Sequence, residues 1–236
     1  MSKIIGVTVG TTYDKTKAGG SGLTEDQKAL LDKIAQEYAD RDYTRMTVSF
    51  TNNTAATTCE MGYRATITFR WEFTQEVSEV TFDGEIQDPT MKGYKTITDI
   101  TSTKSYTVKG TRKDGKQETA ENTAKVTFLN KRYYGCKAMP AVVNSDFIRG
   151  LTSEFASDLK KDFQGYCSSG QYIWYAYPKR FGEAKFYLAT KGTTNYNQCD
   201  EKPSVIPVTN GSGYTEDYYV YRNYYTGQQQ EVRFIK

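Results

Sequence analysis

Residues 65–73 have the sequence ATITFRWEF, in which apolar and polar side chains alternate strictly. Successive side chains of a β-strand point to opposite faces, so this pattern predicts a strand with one buried and one exposed face. Such a half-buried strand needs a second layer to cover its apolar face. We therefore expect a mostly β protein.

Further short runs of period two surround this strand and are separated by turn signals such as Asp114-Gly115. They predict strands at Glu79–Phe82, Lys95–Ile100, Ser105–Gly110 and Thr123–Leu129. Six or seven short strands in about 90 residues are typical of an immunoglobulin-like (Ig-like) β-sandwich. We assign residues 42–135 to such a module.

The chain before the sandwich contains two patterns. Residues 1–22 combine a short alternation at Ile5, Val7 and Val9 with a glycine-rich run. This combination predicts an arm, which is either a disordered tail or a strand added to a neighbouring molecule. Residues 23–41 begin with a capping box at Thr24 and predict a helix.

The predicted helix carries one apolar stripe, formed by Leu30, Leu31, Ile34, Ala35 and Tyr38. The stripe is too short to establish a coiled coil, which needs at least about three heptads. It packs either on its own domain or around a symmetry axis.

Tyrosine is concentrated in the last part of the chain, where 14 of the 20 tyrosines lie from Tyr133 onward. We assign residues 136–236 to a Tyr-rich β module. Apolar residues at steps of three and four predict one helix at 145–163. Strands are predicted at 171–177, 185–189, 205–209, 218–222 and 231–235.

The strand at 171–177 is apolar on both faces. Tyr172 and Trp174 point one way, and Tyr175 and Tyr177 point the other. An exposed aromatic face of this kind is rare on monomers. Either the predicted helix or another subunit is therefore expected to cover it.

The chain has no histidine, which removes the side chain most used for proton transfer near neutral pH. Neither a glycine-rich phosphate loop nor a serine-nucleophile elbow is present. Aspartate and glutamate are plentiful, but no motif around them indicates the paired carboxylates of a glycoside hydrolase. We expect no enzymatic activity, no cofactor and no metal site.

The net charge of +3 gives no support for a nucleic-acid partner. No apolar run approaches the about 20 residues that cross a bilayer, so membrane insertion is not expected. The first residues lack a signal-peptide pattern, which predicts folding in the cytoplasm of the cell that makes the protein. The four cysteines are expected to be reduced thiols, with a late Cys167–Cys199 disulfide as the open alternative.

Several stretches resemble structural proteins of tailed bacteriophages that infect gut Bacteroides-type hosts. The stretches are YIWYAYPKRFG at 172–182, YTEDYYVYRN at 214–223, VTFLNKRYYG at 126–135 and GLTEDQ at 22–27. The resemblance covers residues 75–236 and, less closely, 20–40. It implies a virion component, such as a tail, neck, ring or fibre-attachment protein, that is present in several copies around an axis.

We therefore expect a non-enzymatic virion structural protein that forms a homo-oligomer and contacts other tail or neck proteins. Tyrosine suits surfaces that are wet before assembly and dry after it. The candidate interface residues are Ile5, Val7, Leu30, Ile34, Tyr172, Trp174, Tyr175, Tyr177, Tyr219 and Tyr221. The alternative is a receptor- or glycan-binding module, on a phage fibre or a cell-surface adhesin, that recognises a host surface glycan through Trp174 or Tyr221.

Overall fold

The computed structural model describes residues 25–41, 44–52, 58–114, 118–165, 167–190, 192–193, 195–224 and 230–235. The chain forms two compact units, residues 1–45 and residues 46–236. In the first unit, helix α1 runs from Glu25 to Arg41 and confirms the predicted helix. The predicted arm at 1–22 and the cap at Thr24 lie outside the described residues.

The second unit is mostly β, with antiparallel sheets and one short helix, as predicted. Its first part contains β1 Val48–Asn52, β2 Thr58–Glu60, β3 Ala65–Phe73, β4 Val77–Phe82, β5 Glu85–Gln87, β6 Lys92–Ile100, β7 Lys104–Arg112 and β8 Thr119–Ala138. Its second part contains α2 Ser145–Arg149, β9 Thr152–Ala156, β10 Lys161–Gly165, β11 Gln171–Pro178, β12 Lys185–Thr190, β13 Asn197–Cys199, β14 Ser204–Thr209, β15 Thr215–Tyr224 and β16 Gln230–Ile235, with a short 3-10 helix at Lys179–Phe181.

Residues 46–129, here called the sandwich module, form two facing sheets. One sheet has the order β1-β3-β6, and the other has the order β5-β4-β7-β8 with β2 parallel to β8. This order corresponds to strands A-B-E facing C′-C-F-G of an Ig-like sandwich. The predicted β-sandwich is therefore present.

The core of the sandwich module is built by the alternation in β3. All its inward-facing residues are buried. The centre of the Phe69 ring lies 5.5 Å from that of Phe82 and 4.7 Å from that of Tyr106, both on the opposite sheet. The indole of Trp71 lies against Gly93 of β6, where an added Cβ atom would come within 2.4 Å of the ring. Glycine is needed there because the Trp71 ring occupies the space that a side chain at position 93 would fill.

Residues 130–235 form the C-terminal module, and β8 belongs to both modules. The first half of β8 pairs with β7, and its last residues pair with β9 and β11. This 20-residue strand spans about 65 Å at the usual rise of a strand. The predicted boundary between residues 135 and 136 falls inside it.

A turn of the C-terminal module also contacts the sandwich module. The Asn210 side chain donates a hydrogen bond to the Met61 carbonyl oxygen at 2.6 Å and accepts hydrogen bonds from the amides of Ser212 and Tyr214. Gly62, with a φ of +84°, lies beside Tyr214. Residues 46–236 thus have a second connection besides β8.

The predicted helix at 145–163 is wrong beyond its first turn and a half. Asn144 caps α2 by accepting a hydrogen bond from the Phe147 amide, and the helix ends at Gly150. The chain then forms two strands instead. The first, β9, pairs with residues 130–134 of β8, and the second, β10, pairs with β16. Gly150, Thr152 and Ser153 are poor helix formers. The unpaired edge of β8 also offers backbone hydrogen bonds to a strand, and these outweigh the helical spacing of the apolar residues.

Candidate functional site

The aromatic strand β11 is covered on both faces by the chain itself. Ile173, Tyr175 and Tyr177 face the sheet β10-β16-β12-β13 and pack with Phe186 and Phe234. The ring of Tyr175 lies 4.1 Å from that of Phe234. This face is the interior of a two-layer module.

The opposite face of β11 packs under α2. Trp174 and Ala176 lie in one cluster with Phe147, Ile148 and Tyr133, and the Phe147 ring meets the Trp174 ring edge-on at 4.8 Å. The predicted helix therefore does cover one face, although it is much shorter than expected.

The candidate interface residues consequently need correction. Trp174, Tyr175, Tyr177 and Tyr221 are at most 2% exposed, so their rings fill the module rather than face a partner or a glycan. Tyr172 and Tyr219 are half-buried at the margins of these clusters. On α1, Leu30 is exposed and Ile34 is half-buried, whereas Ile5 and Val7 lie outside the described residues.

The hydroxyl groups of the buried tyrosines explain why these residues are tyrosine and not phenylalanine. Four of them donate to backbone carbonyl oxygens at 2.7–3.0 Å: Tyr175 to Leu159, Tyr177 to Gly182, Tyr218 to Lys131 and Tyr221 to Ala184. Three of these carbonyls belong to loops, where no strand ladder satisfies them. Tyrosine here supplies hydrogen bonds to irregular backbone inside an apolar core.

Burial also raises the pKa values of these phenols, because it disfavours the charged form. The pKa of Tyr133 and that of Tyr175 are raised to about 12. The pKa values of Tyr177, Tyr218 and Tyr221 are raised by the same cause. All five side chains are therefore neutral near pH 7 and suit a structural role.

The expectation of four reduced thiols is corrected by a disulfide between Cys136 and Cys167. It joins the end of β8 to the loop between β10 and β11, and it excludes the alternative Cys167–Cys199 pair. Cys59 and Cys199 are free and half-buried. Burial raises the pKa of the Cys59 thiol, and burial together with nearby acidic residues raises that of Cys199 to about 11, so neither is an activated nucleophile.

A charged cluster lies where β8, β9 and β10 meet. The Arg132 guanidinium contacts Glu154 at 3.0 Å, and the Lys161 ammonium contacts the same carboxylate at 2.7 Å. Burial acts to raise the pKa of Glu154, but the hydrogen bond from Lys161 and both positive charges outweigh it and lower the pKa. The cluster stabilises the corner of the module.

A shallow groove of about 360 Å³ lies on the outer face of the sheet β1-β3-β6. Strand alternation places its polar side chains on this one face: Ser49, Thr51, Arg70, Glu72, Lys92 and Tyr94. The alternation in residues 65–73 predicts only that Arg70 and Glu72 lie on the exposed face of a strand. The sequence feature that could have indicated the groove is Tyr94, a large aromatic residue on the outward side of a strand.

Within the described residues, no group of cysteine, aspartate and glutamate side chains is arranged to hold a metal ion. In the same part of the chain, no helix is long and apolar enough to cross a membrane. No protein-family model matches this chain. No curated protein matches it either.

Proposed function

We propose that this chain is a non-enzymatic structural subunit of a tailed-phage virion, in the tail, the neck or ring, or the fibre attachment. It acts as a homo-oligomer in contact with other virion proteins. The tyrosine-rich strands form its rigid interior, and assembly uses other surfaces.

The observation that carries this proposal is the pairing of the stretches that resemble phage structural proteins. Residues 172–182 include β11 and residues 214–223 belong to β15, and in their antiparallel pairing Trp174 lies opposite Arg222. Residues 126–135 lie in β8, which pairs with β11 on the other side. The resemblance thus follows three adjacent strands, as a shared module would, rather than scattered similarities of composition.

Helix α1 provides an apolar surface for assembly. Leu30 and Leu31 are 57% and 42% exposed, and Ile34 completes a stripe on the same face. We therefore assign the covering partner of α1 to another copy of the chain.

The assembly claim is tested by native mass measurement of the full chain and two charge-changing variants. Leu31→Glu places a charge on the stripe and is expected to convert a defined oligomer to monomer. Lys33→Glu changes the charge beside the stripe and should leave the oligomer intact. A wild-type monomer, or equal behaviour of the two variants, would contradict assembly through α1.

The virion claim is tested by mass spectrometry of particles purified from lysates of cells that carry the gene. Peptides from the chain are expected at a fixed ratio to those of other virion proteins. The chain could instead remain wholly in the soluble fraction while complete particles form. That result would overturn the virion assignment without bearing on the oligomer.

A further inference from the structure

We propose that the groove on the outer face of the sheet β1-β3-β6 binds a carboxylate-bearing saccharide. The sugar ring stacks on Tyr94, and its carboxylate pairs with Arg70. This binding site goes beyond the structural role proposed above and does not depend on it.

The strand register arranges the groove residues in two parallel rows across the sheet. Thr51, Arg70 and Tyr94 are successive cross-strand neighbours, and so are Ser49, Glu72 and Lys92. Neighbours in such rows have Cβ atoms about 4.5–5.5 Å apart, so each row is about as long as one or two sugar rings. The scaffold is a rigid sheet, which holds the six side chains in a fixed pattern.

Tyr94 supplies an apolar platform. Its side chain is 67% exposed and lies on β6, the edge strand of the sheet, opposite Arg70 of β3. The Arg70 guanidinium lies over one face of the ring, 5.7 Å from its centre, so the sugar stacks on the other face. An aromatic face beside a planar donor suits a ligand with one apolar face and a polar rim, which is the chemistry of a pyranose.

The charges of the groove select an acidic sugar. Lys92 is paired with Glu72 at 2.8 Å, so these two charges neutralise each other. Arg70 forms no ion pair with any carboxylate in the described part of the chain. A guanidinium binds a carboxylate through two parallel hydrogen bonds, so a uronic or sialic acid fits the remaining charge better than a neutral sugar. Ser49 and Thr51 add hydroxyl groups for the ring hydroxyls.

Isothermal titration calorimetry of the full chain tests the proposal. It measures the affinity for oligogalacturonate and sialyllactose and compares it with the affinity for their methyl esters. Binding is expected to be salt-sensitive because the site is exposed. The acids should bind about tenfold more tightly than the esters, a difference of about 1.4 kcal/mol. Failure of both acids to bind, or equal binding of acid and ester, would overturn the proposal.

Variants assign the binding to the groove. Arg70→Gln should abolish the preference for acid over ester, and Tyr94→Ala should weaken the binding of both, whereas Tyr94→Phe keeps the platform and should bind like wild type. Tyr63→Ala removes another exposed tyrosine of the same module and serves as the matched control. All these side chains are exposed, so unchanged thermal unfolding is expected for each variant. An equal loss in Tyr63→Ala and Tyr94→Ala would show that the groove is not the site.

Discussion

The two modules of residues 46–236 have similar layered β architecture but different cores. The buried core of the sandwich module, in the described residues, is built mainly from phenylalanine, valine and isoleucine, with Met46, Ala65, Trp71 and a single tyrosine, Tyr106. That of the C-terminal module includes five buried tyrosines and a disulfide. The C-terminal module has carbonyl groups of irregular backbone turned inward, and phenol groups satisfy them. An excess of tyrosine can therefore indicate a core that contains loop backbone, and not only an interface.

Alkaline pH should have the largest effect on stability, because it ionises the buried tyrosines that distinguish the core of the C-terminal module. Unfolded tyrosine ionises near pH 10, whereas the pKa values of Tyr133 and Tyr175 in the folded chain are about 12. A raised folded-state pKa means that the stabilisation is fully present below pH 10 and is lost as the pH rises through 12. Each pKa unit is worth about 1.4 kcal/mol per tyrosine. Ionisation of both tyrosines should therefore destabilise the fold more than any single substitution described below.

The measurement is an alkaline titration in which tyrosinate absorbance and circular dichroism are recorded together. Ionisation of the buried rings should coincide with unfolding. The free energy of unfolding should fall less steeply with pH in Tyr175→Phe than in wild type, and Tyr94→Phe should match wild type. Ionisation of all tyrosines near pH 10 in a chain that stays folded would contradict the buried-phenol core.

Tyr175→Ala should have the largest effect among single substitutions. The side chain is fully buried between two sheets, so its removal should cost about 3–5 kcal/mol. Phe69→Ala makes a matched change in the sandwich module and should cost a similar amount. Because β8 runs through both cores, urea unfolding should remain a single transition in both variants. Two separate transitions would show that the modules unfold independently.

Removal of the disulfide should destabilise the folded chain by releasing a constraint that lies within the C-terminal module. The bond closes a loop with a sequence separation of 31 residues, and its loss in Cys136→Ala/Cys167→Ala should cost about 3–4 kcal/mol. A reducing agent should lower the urea midpoint of wild type but not that of the double variant. Cys59→Ser, in the sandwich module, should change the stability by about 1 kcal/mol or less. If the reductant had no effect on wild type, Cys136 and Cys167 would not be bonded.

Apart from the control variants, Tyr221→Phe should give the smallest destabilisation. The hydroxyl group donates to the Ala184 carbonyl and accepts from the Ala184 amide, each at 3.0 Å. Its removal leaves two partly buried backbone groups without a partner, at a cost of about 1–3 kcal/mol. Tyr94→Phe, at an exposed position, should cost almost nothing. Chemical denaturation measures both, and equal stabilities would show that the hydroxyl bonds contribute nothing net.

The parts of the fold that follow from local pattern were predictable. The alternation in residues 65–73 specifies β3 and its buried face, and the predicted strands of the C-terminal module correspond to β11, β12, β14, β15 and β16. The pairing of β9 with β8 was not predictable, because its apolar residues also fit a helical period. Only the proximity of β8 decides between the two, and proximity is a property of the tertiary fold.

The same limit applies to the candidate sites. A strand with aromatic residues on both faces must be covered, but the sequence does not distinguish cover by the same chain from cover by a neighbour. The Cys136–Cys167 bond depends on the meeting of β8 with the loop before β11, which no spacing reveals. The groove at Tyr94 depends on the cross-strand register of β1, β3 and β6.

Strand β8 has a mechanical consequence. A pulling force applied along it would reach both modules through the same backbone, and the bonds to β7 and β11 would be loaded in shear. Hydrogen bonds loaded in shear must break together, whereas bonds peeled from one end break one at a time. The last strand, β16, lies between β10 and β12, so traction on the carboxyl end would also load two ladders at once. Residues 46–236 would therefore bear tension as one body instead of extending at a hinge.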